Sequence, residues 1–485
     1  MGLTVVIAAS EAIPFAKTGG LADVAGSLPA ALKHLGLKVI VFLPYYREVA
    51  EKGFDIQETG LQVPVNMGRR TVKADVLVGE HHVVPYYFLR RDEYFDRRYL
   101  YGTPEGDYFD NLERFTFFSR AVLEVIKARD LSPDVIHCND WQTGLIPAYL
   151  KDIYRGESVF ARTATVLTVH NIAYQGQFPA NFYGVTGLGS YLFTPEGLEF
   201  WGNLNLLKSG IVFSDAITTV SRGYSREIQT PEFGYGLEGV LKKRKDVLSG
   251  ILNGVDYTEW DPATDTHIPH NFNIEEMKGK SDCRKKLLKA FRVKAKAKTP
   301  VIGMITRLAD QKGIDILSEA MPELMKLDLV MLVLGSGDRR YQELLLDLAG
   351  HYPDRLSVKI AFNSGLSHMV EAGSDMFLMP SRYEPCGLNQ IYSLKYGTIP
   401  IVRATGGLDD TVKDVSEEGG NGFKFKEYSA AALVEKVSEA VEAFQDKKTW
   451  TALQRRGMAE DFSWSDAAKK YVEVYRSAQA RLLKT

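Results

Sequence analysis

Short apolar runs alternate along this chain with longer segments that carry apolar residues at helical spacing. The first run, residues 3–9, is rich in β-branched side chains and predicts a buried strand. Residues 21–35 follow with leucine, valine and alanine at intervals of three and four, which predicts a helix. An alternation of this kind is typical of a mostly parallel sheet that helices cover on both faces.

The same pattern predicts the remaining elements of two α/β halves. In the first half we expect strands at residues 38–43, 82–89, 134–137, 163–169 and 216–220, and helices at 108–129, 141–150, 201–213 and 222–228. Residues 53–79 are β-rich and interrupted by glycine, which indicates an antiparallel excursion. In the second half we expect strands at residues 300–305, 329–334, 357–361, 376–379, 399–402 and 422–425, and helices at 314–325 and 340–348.

The series of elements breaks between Asn253 and Thr299, where a turn is followed by polar and basic sequence. A chain of 485 residues is also too long for one ordinary core. We therefore expect two doubly wound, Rossmann-like domains at residues 1–253 and 254–463, and a terminal helix at 464–485 that crosses back to the first domain. Ligands of open α/β sheets bind at the carboxyl ends of the strands, so we expect the site in a central cleft that both domains face.

Composition excludes several classes of function. The net charge is −2 and the basic runs are short, so neither nucleic acid nor an anionic membrane is an expected partner. The three cysteines are far apart and show no C-x-x-C spacing, which argues against a disulfide framework or a zinc site and fits a reducing cytosol. No leader precedes the first strand and no apolar run could span a bilayer, so we expect a cytoplasmic protein.

A glycine loop with a lysine beside it leads into the first predicted helix. Gly19 and Gly20 allow a ligand to come close to the backbone, and the N–H groups at a helix start favour anions. Lys17 adds a positive charge, so the loop suits a phosphate or a phosphorylated sugar. A flexible turn with a solvated lysine is the alternative, because short glycine motifs match by chance.

A second basic junction lies at the start of the other half. Arg307 and Lys312 follow the strand predicted at residues 300–305, and two cations at a helix start suit a diphosphate leaving group. The alternative is a pair of surface salt bridges, but the presence of both cations at one junction favours a site. Gly335, further on, begins an incomplete dinucleotide fingerprint that a tight turn explains equally well.

A carboxylate is predicted at the end of the strand at residues 376–379. Glu384 lies in a strand-to-helix loop shaped by Pro385 and Gly387, where it could bind sugar hydroxyls or stabilise a positive anomeric centre. A helix-capping or salt-bridging glutamate is the alternative. Cys386 fits a packed thiol better than a nucleophile, because the sequence places no histidine or asparagine to activate it.

Polar residues also end two strands of the first half. Asp140 and His170 each follow a predicted strand, with Trp141 and Tyr174 nearby. These side chains offer polar edges for hydroxyls and aromatic faces for sugar C–H groups, although a lone histidine after a strand is often a structural hydrogen-bond partner. No H-E-x-x-H or similar spacing is present, so a metal site has little support.

Four sequence blocks resemble those of bacterial glycogen synthases and plant starch synthases. The blocks are residues 17–24, 170–176, 307–313 and 380–388, and they follow the order of the family along the chain. The resemblance implies a two-domain glycosyltransferase of the GT-B type that transfers glucose from ADP-glucose to the non-reducing end of an α-1,4-glucan, such as glycogen, with retention. No metal or pyridoxal phosphate is implied. The absence of a transit segment makes the bacterial enzymes the better match.

The resemblance also implies roles for the basic junctions. Lys17, Arg307 and Lys312 would neutralise the diphosphate of the donor, with Lys17, Arg307, Lys312, His170 and Glu384 as the catalytic set. Gly19 and Gly20 would approach the sugar and the phosphates. Asp140, His170 and Asn253 would hold glucose hydroxyls, and Glu384 would serve the reacting centre. The remaining substrate-binding residues would be Asp23, Gly335, Phe362, Cys386, Gly387, Leu388 and Asn389.

Three positions depart from the family pattern. Phe362 stands where a tyrosine often stacks on the adenine, so stacking is retained and the hydroxyl is lost. Asn389 replaces a threonine, which leaves a backbone N–H contact possible and the side-chain contact doubtful. Tyr392 replaces a second glutamate of many related transferases, so a carboxylate clamp on the ribose is not expected.

The sequence leaves several alternatives open. No pair of carboxylates that would flank one bond is evident, so we expect same-face substitution rather than a covalent intermediate. UDP-glucose could replace ADP-glucose as donor. A phosphorylase-like enzyme with pyridoxal phosphate and a non-catalytic glycan-binding protein are further possibilities. The oligomeric state is not fixed by the sequence.

Overall fold

The protein is described here by a computed structural model that covers residues 2–483. The chain divides into two compact units. The first contains the residues up to Gly254 together with the segment that begins at Trp464, and the second is Val255–Ser463. Met1, Lys484 and Thr485, which the predicted domains include, lie outside the described residues.

The strands and helices are numbered in chain order. The strands are β1 Thr4–Ala8, β2 Lys38–Pro44, β3 Gln57–Met67, β4 Arg70–His81, β5 Val84–Arg90, β6 Gly102–Thr103, β7 Gly106–Asp107, β8 Val135–Asn139, β9 Ala164–Val169, β10 Gln177–Pro179, β11 Glu199–Phe200, β12 Asn203–Asn205, β13 Ala216–Thr219, β14 Leu248–Gly250, β15 Val301–Leu308, β16 Val330–Gly337, β17 Leu356–Ile360, β18 Met376–Met379, β19 Ile399–Arg403 and β20 Phe423–Phe425. The helices are α1 Gly20–His34, α2 Arg47–Glu51, α3 Asp92–Phe95, α4 Asn111–Ala128, α5 Ile146–Lys151, α6 Leu206–Phe213, α7 Arg222–Glu227, α8 Glu238–Lys243, α9 Lys278–Phe291, α10 Ile314–Leu324, α11 Arg339–His351, α12 Ser364–Gly373, α13 Asn389–Lys395, α14 Gly406–Thr411, α15 Ala430–Ala443, α16 Lys447–Ala459 and α17 Trp464–Leu482.

A nine-stranded sheet forms the centre of the first unit, in the order β14-β13-β9-β8-β1-β2-β5-β4-β3. The strands from β14 to β5 are parallel, and β4 and β3 continue the sheet antiparallel to β5. The central strands β8 and β9 are buried along their whole length, as parallel strands covered on both faces are. The antiparallel pair is the excursion that the sequence predicts after Gly53.

Six parallel strands form the sheet of the second unit, in the order β17-β16-β15-β18-β19-β20. Residues along β16 alternate between two cores: Met331 and Val333 pack with α10 and α11, whereas Leu332 and Leu334 pack with α9. A strand that faces two cores needs apolar side chains at every position, which explains the continuous hydrophobic runs in the sequence. This confirms the predicted α/β, doubly wound class.

Several predicted elements were wrong in detail. The helix predicted at residues 201–213 begins only at Leu206, because 203–205 form β12 and the Asn205 side chain caps α6 by accepting from Lys208 N at 2.8 Å. The helix predicted at 141–150 is a 3-10 turn followed by α5. The strand predicted at 82–89 begins at Val84, because the two preceding residues form the turn from β4.

Several helices were missed, among them α9, α12, α15 and α16, and α9 was missed because its sequence is mostly polar. α9 lies in the basic segment after the first domain, and its few apolar residues, including Leu287 and Phe291, are buried on one side. α12 has its cap in Asn363, whose side chain accepts from Leu366 N at 2.8 Å. Among the described residues, none of the helices is both long enough and apolar enough to cross a membrane.

The terminal helix α17 belongs to the first unit, where it packs against α1, β9 and β13. Its Tyr475 hydroxyl lies 2.9 Å from His137 Nδ1, and the other ring nitrogen of His137 lies 2.6 Å from Thr168 Oγ1. Burial lowers the pKa of His137 to about 3, so the ring is neutral and shares both hydrogen bonds without a charge. The chain end is thereby fixed to the middle of the sheet by buried polar contacts.

Replacing Tyr475 by phenylalanine should destabilise the first unit by about 1–3 kcal/mol, because His137 Nδ1 would remain buried without its partner. Equilibrium unfolding in urea measures the difference. Arg476→Ala on the exposed side of the same helix is the control, and it should change stability by about 0.5 kcal/mol or less. Equal stability of the Tyr475 variant and the unchanged protein would contradict this role.

Candidate active site

The strand order of each unit marks one place for a ligand. Numbered along the chain, the parallel strands of the second unit run 3-2-1-4-5-6, and those of the first unit follow the same order with one strand more. The order reverses between strands 1 and 4, which are β1 and β8 in the first unit and β15 and β18 in the second. Ligands of doubly wound sheets bind outside the carboxyl ends of these two strands.

In the first unit, the loop after β1 is organised by a buried glutamate. Glu11 is 4% exposed, and its Oε2 accepts from the backbone N–H groups of Thr18 at 2.5 Å and Gly19 at 3.1 Å. Its Oε1 accepts from the hydroxyls of Thr18 and Tyr101, both at 2.9 Å. Burial raises the pKa of Glu11. The N–H groups of Thr18 and Gly19 thus face Glu11 rather than the open side of the loop.

Packing does not require a glycine at position 19 or 20. Gly19 has φ −152°, which any residue can adopt, and neither glycine has an atom within 4 Å of where a Cβ would lie. Among the described residues, the N–H groups of Gly20 and Leu21 have no acceptor. Lys17 extends beside them, 42% exposed, with its Nζ 2.7 Å from Asp23 Oδ1. The loop therefore presents open backbone and a cation.

Asp140 follows β8 in a strained conformation. Its φ is +54° and its ψ is −168°, a combination that costs on the order of 1–3 kcal/mol and is concentrated at functional sites. The side chain is buried, and its Oδ1 accepts from His170 N at 2.7 Å. Burial raises the pKa of Asp140 to about 8, and the nearby Glu11 carboxylate adds to this shift. At pH 7 the Asp140 carboxyl is protonated and can donate a hydrogen bond.

His170 follows the neighbouring strand β9 and is also neutral. Burial lowers the pKa of His170 to about 3, with His137 as a second cause. Its Nε2 lies 2.9 Å from the side-chain oxygen of Asn139, so Nε2 donates and Nδ1 is left as an acceptor. A neutral imidazole of this kind can accept a hydrogen bond from a sugar hydroxyl, but it does not supply a positive charge.

Asn253 lies at the end of the first unit with an unsatisfied group. The residue is 5% exposed, and its side-chain oxygen has no hydrogen-bond partner among the described residues. A buried acceptor without a partner costs about 1–3 kcal/mol, so the Asn253 oxygen is available to a hydrogen-bond donor.

In the second unit, the loops after β15 and β18 are joined by an ion pair. Lys312 Nζ lies 2.6 Å from Glu384 Oε2, and the side chains are 20% and 7% exposed. Ser381 Oγ donates to the same carboxylate oxygen at 3.0 Å. Gly313, with φ +72°, precedes α10, and a Cβ there would overlap the carbonyl oxygen of Pro380. The tight contact of the two loops requires this glycine and fixes the ion pair.

Arg307 and Gly335 lie on strands rather than in loops, which corrects their predicted placement. β15 continues to Leu308, so Arg307 is an exposed residue near the end of this strand. It pairs in register with Ser336 of β16. Gly335 lies within β16, where a Cβ would overlap the carbonyl oxygen of Thr306. The close pairing of β15 with β16 accounts for this glycine, so Gly335 does not lie in the tight turn that the sequence left open as an alternative.

The loop from Cys386 to Asn389 leads into α13. Cys386 is 6% exposed, Gly387 has φ +70°, and Leu388 is the residue before the helix. Asn389 Nδ2 donates to the carbonyl oxygen of Ile305 at 3.1 Å, so its side chain holds the loop against β15. In a separate position after β17, Phe362 is 89% exposed.

Tyr392 on α13 has a packing role. Its ring stacks on Trp260 with the centroids 4.0 Å apart and the planes at 8°. Trp260 stacks on His368 on its other face, at 3.7 Å. An aromatic side chain in this stack therefore stands where many related transferases carry a second glutamate. Among the residues 2–483, no group of three histidine, cysteine or acidic side chains is arranged to hold a metal ion.

The structure brings six of the expected residues together in three pairs. Lys17 pairs with Asp23, Asp140 binds the backbone of His170, and Lys312 pairs with Glu384. The sequence reasoning missed Glu11. The available signal was an acidic residue placed directly after a buried strand and shortly before the glycine loop.

Comparison with known proteins agrees with this geometry. The family model described as "Starch synthase catalytic domain" matches residues 4–243, and the model "Glycosyl transferases group 1" matches residues 287–453. The chain is 48% identical over 480 residues to "Glycogen synthase" of Koribacter versatilis, with 98% of each chain covered. It is 46% identical over 478 residues to "Glycogen synthase 2" of Geobacter sulfurreducens, with 98% of this chain and 99% of that protein covered.

Solved structures give the same result. The catalytic domain of starch synthase IV from Arabidopsis thaliana, bound to ADP and acarbose, superposes with a TM-score of 0.91 at 32% identity and covers 99% of this chain and 100% of that one. Sucrose-phosphate synthase from Thermosynechococcus elongatus shares the fold, with a TM-score of 0.61 at 18% identity, 99% of this chain and 100% of that chain covered. The two doubly wound units are those of a GT-B glycosyltransferase. Within that class the chain belongs to the glycogen and starch synthase family, whose members are hexosyltransferases.

Replacing Glu11 by alanine should lower the rate of glucosyl transfer by about tenfold or more, because the loop that carries Lys17 would lose its buried acceptor. Glu11→Gln should restore most of the rate, since its amide oxygen can still accept from the Thr18 and Gly19 N–H groups. Steady-state rates of both variants test this. Glu105→Gln, on the exposed loop of the same unit, serves as the control. Equal losses in the two Glu11 variants would refute the acceptor role.

Replacing Asp140 by asparagine should change how stability depends on pH. The pKa of Asp140 is raised to about 8, so the folded protein keeps a proton that the unfolded chain loses near pH 4, and stability falls as pH rises between these values. The stability of Asp140→Asn relative to the unchanged protein should therefore rise by about 5 kcal/mol from pH 4 to pH 8, because each unit between the two pKa values is worth about 1.4 kcal/mol. Urea unfolding across this range measures it. The control is Asp130→Asn at an exposed position, whose free energy of unfolding should depend on pH as that of the unchanged protein does. The same pH dependence in Asp140→Asn would contradict the raised pKa of Asp140.

Proposed function

We propose that this chain transfers glucose from ADP-glucose to the non-reducing end of an α-1,4-glucan such as glycogen, with retention at the anomeric carbon, and releases ADP. The observation that carries the proposal is the Lys312–Glu384 ion pair at the switch point of the second unit. The names of the relatives and the ADP and acarbose bound to the plant starch synthase support it.

In this proposal the second unit holds the nucleotide diphosphate. A diphosphate oxygen beside Lys312 competes with Glu384 for the ammonium group, and Arg307 on β15 adds a second cation. The first turn of α10, after Gly313, offers backbone N–H groups that favour an anion. Negative charge on the diphosphate grows as its bond to glucose breaks, so these groups stabilise the transition state more than the bound donor.

The polar groups of the first unit suit a glucose ring. Protonated Asp140 donates to a hydroxyl oxygen, neutral His170 accepts from a hydroxyl through Nδ1, and the unsatisfied oxygen of Asn253 accepts a further hydrogen bond. Gly20 leaves room for the sugar phosphate beside Lys17. All three sugar contacts come from groups that carry no charge at pH 7, which suits a neutral hexose.

Same-face substitution agrees best with the available carboxylates. Retention through a covalent intermediate needs an ionised carboxylate as nucleophile, with a second carboxyl group roughly 5 Å away. Asp140 is protonated at neutral pH, and Glu384 is engaged by Lys312 and Ser381. We infer that the bond between C1 and the diphosphate oxygen breaks while the glucan hydroxyl oxygen bonds to C1. The hydroxyl proton passes to the departing diphosphate, and no metal ion or pyridoxal phosphate takes part.

The test is release of ADP or UDP when the protein is mixed with glycogen and each nucleotide sugar in turn. ADP-glucose should be the better donor, and Lys312→Ala should lower kcat by on the order of 100-fold, as loss of one oxyanion donor does. Lys326→Ala is the matched control, because Lys326 is a surface residue of the same unit and its side chain is 69% exposed.

The melting temperature of Lys312→Ala must be compared with that of the unchanged protein, since the variant leaves Glu384 buried without its cation. A folded Lys312→Ala protein with normal turnover would overturn the proposed role of the ion pair. Preference for UDP-glucose would overturn the assignment of the donor, and absence of transfer from either donor would overturn the function.

A further inference from the structure

The tip of the β11–β12 hairpin carries a tryptophan in an unfavourable backbone conformation. Trp201 and Gly202 are the two residues between the paired strands, and their φ values are +52° and +80°. Two-residue turns with both φ values positive favour Asn-Gly or Gly-Gly, because a bulky side chain is strained there. The indole is also 82% exposed, so burial in the core does not offset the strain.

A second aromatic turn of the same kind lies beside the first. Tyr235 and Gly236 have φ values of +50° and +84°, and Tyr235 is 45% exposed. A Cβ at Gly236 would lie 2.9 Å from Phe200 Cζ and 3.5 Å from Trp201 Nε1, so this glycine lets the two turns approach closely. The β4–β5 turn shows that positive φ values alone do not mark a site. The distinctive feature here is the pairing of two exposed aromatic turns.

Gln175 joins this pair of turns to the loop that follows His170. Its side-chain nitrogen donates to the carbonyl oxygens of Ile172 at 3.1 Å and Tyr235 at 3.0 Å. Its side-chain oxygen accepts from Asn205 Nδ2, at the end of β12, at 2.7 Å. The aromatic turns and the sugar-binding loop proposed above are therefore parts of one hydrogen-bonded assembly within the first unit.

We propose that Trp201 and Tyr235 form a platform on which a glucose ring of the α-glucan chain stacks. The inference rests on the proposed function and names the residues that receive the glucan. Sugar rings have apolar C–H faces that pack on an indole, and a rim of hydroxyls that the Glu199 carboxylate beside the turn can bind. The Glu199 carboxylate accepts from Gly202 N at 2.6 Å, and its charge disfavours a nucleotide phosphate at this place.

Tryptophan fluorescence can follow glucan binding directly. Trp141, Trp450 and Trp464 are at most 8% exposed and Trp260 is half-buried, so a change in emission on adding maltoheptaose without donor reports chiefly on Trp201. We expect this change in the unchanged protein and its loss in Trp201→Ala. The KM for maltoheptaose should rise about tenfold, the amount that loss of one aromatic stacking contact produces, while the KM for the nucleotide sugar stays within about twofold.

Trp201→Gly is the control for a folding defect, because glycine adopts the positive φ of position 201 without strain. This variant should melt no lower than the unchanged protein and bind maltoheptaose as weakly as Trp201→Ala. Trp201→Phe should retain part of the affinity. Phe109→Ala, which removes an aromatic side chain that is 96% exposed elsewhere in the first unit, should leave both KM values unchanged.

Three results would overturn the platform. They are an unaltered KM for maltoheptaose in both Trp201→Ala and Trp201→Gly, an emission change caused by ADP but not by maltoheptaose, and a change only in self-association. The platform and the proposed function fail separately. If the unchanged protein transfers no glucose but maltoheptaose still alters Trp201 emission, the function is wrong and the glucan site stands.

Discussion

The constraint on which both units depend is the reversal of strand order beside their first strands. β1 pairs with β2 on one side and with β8 on the other, and β15 pairs with β16 and β18. The connections on the two sides leave toward opposite faces of the sheet, so the loops after the two central strands separate and leave open space at their carboxyl ends. The glycine loop and Asp140 lie at this point in the first unit, and Lys312 and Glu384 lie at it in the second.

Burial then sets the electrostatics of the first unit. Glu11, Asp140 and His170 lie next to fully buried strands, where the charged form of each side chain loses its hydration. The pKa of each carboxyl group is raised and that of the histidine is lowered, so one cause shifts all three toward neutrality. Uncharged groups of this kind recognise a ligand through hydrogen bonds, which suits the hydroxyls of a hexose. The exposed charge of Lys17 suits a phosphate instead.

Asp140 and Trp201 break local rules of conformation, each in its own way. Asp140 is strained and buried, and it gains two hydrogen bonds from the backbone of the next strand loop. Trp201 is strained and exposed, and its side chain makes no hydrogen bond to the residues that the structure describes. Positive φ values also occur in the β4–β5 turn, so strain alone does not mark a site, and the features that distinguish these two positions are the burial of Asp140 and the pairing of Trp201 with a second aromatic turn.

Much of the fold followed from the sequence alone, because parallel strands buried on both faces need apolar residues at every position and so stand out along the chain. For the same reason Lys17, Lys312, Glu384, Asp140 and His170 could be assigned to the segments that follow such strands. The polar helix α9 could not be located because it is stabilised by the surface against which its few apolar residues pack. The β12 strand could not be located because the cap formed by Asn205, rather than composition, sets where α6 begins.

Only the tertiary structure decided what the site residues contact. The sequence placed Glu11 near the glycine loop but could not show that it takes two of the loop's N–H groups. It also could not show that Lys312 is paired, that Gly335 is required by strand packing, or that Tyr392 fills an aromatic stack. The physical reason is that spacing along the chain fixes which strand a residue follows, whereas burial, pairing and pKa depend on residues that are distant in sequence and adjacent in space.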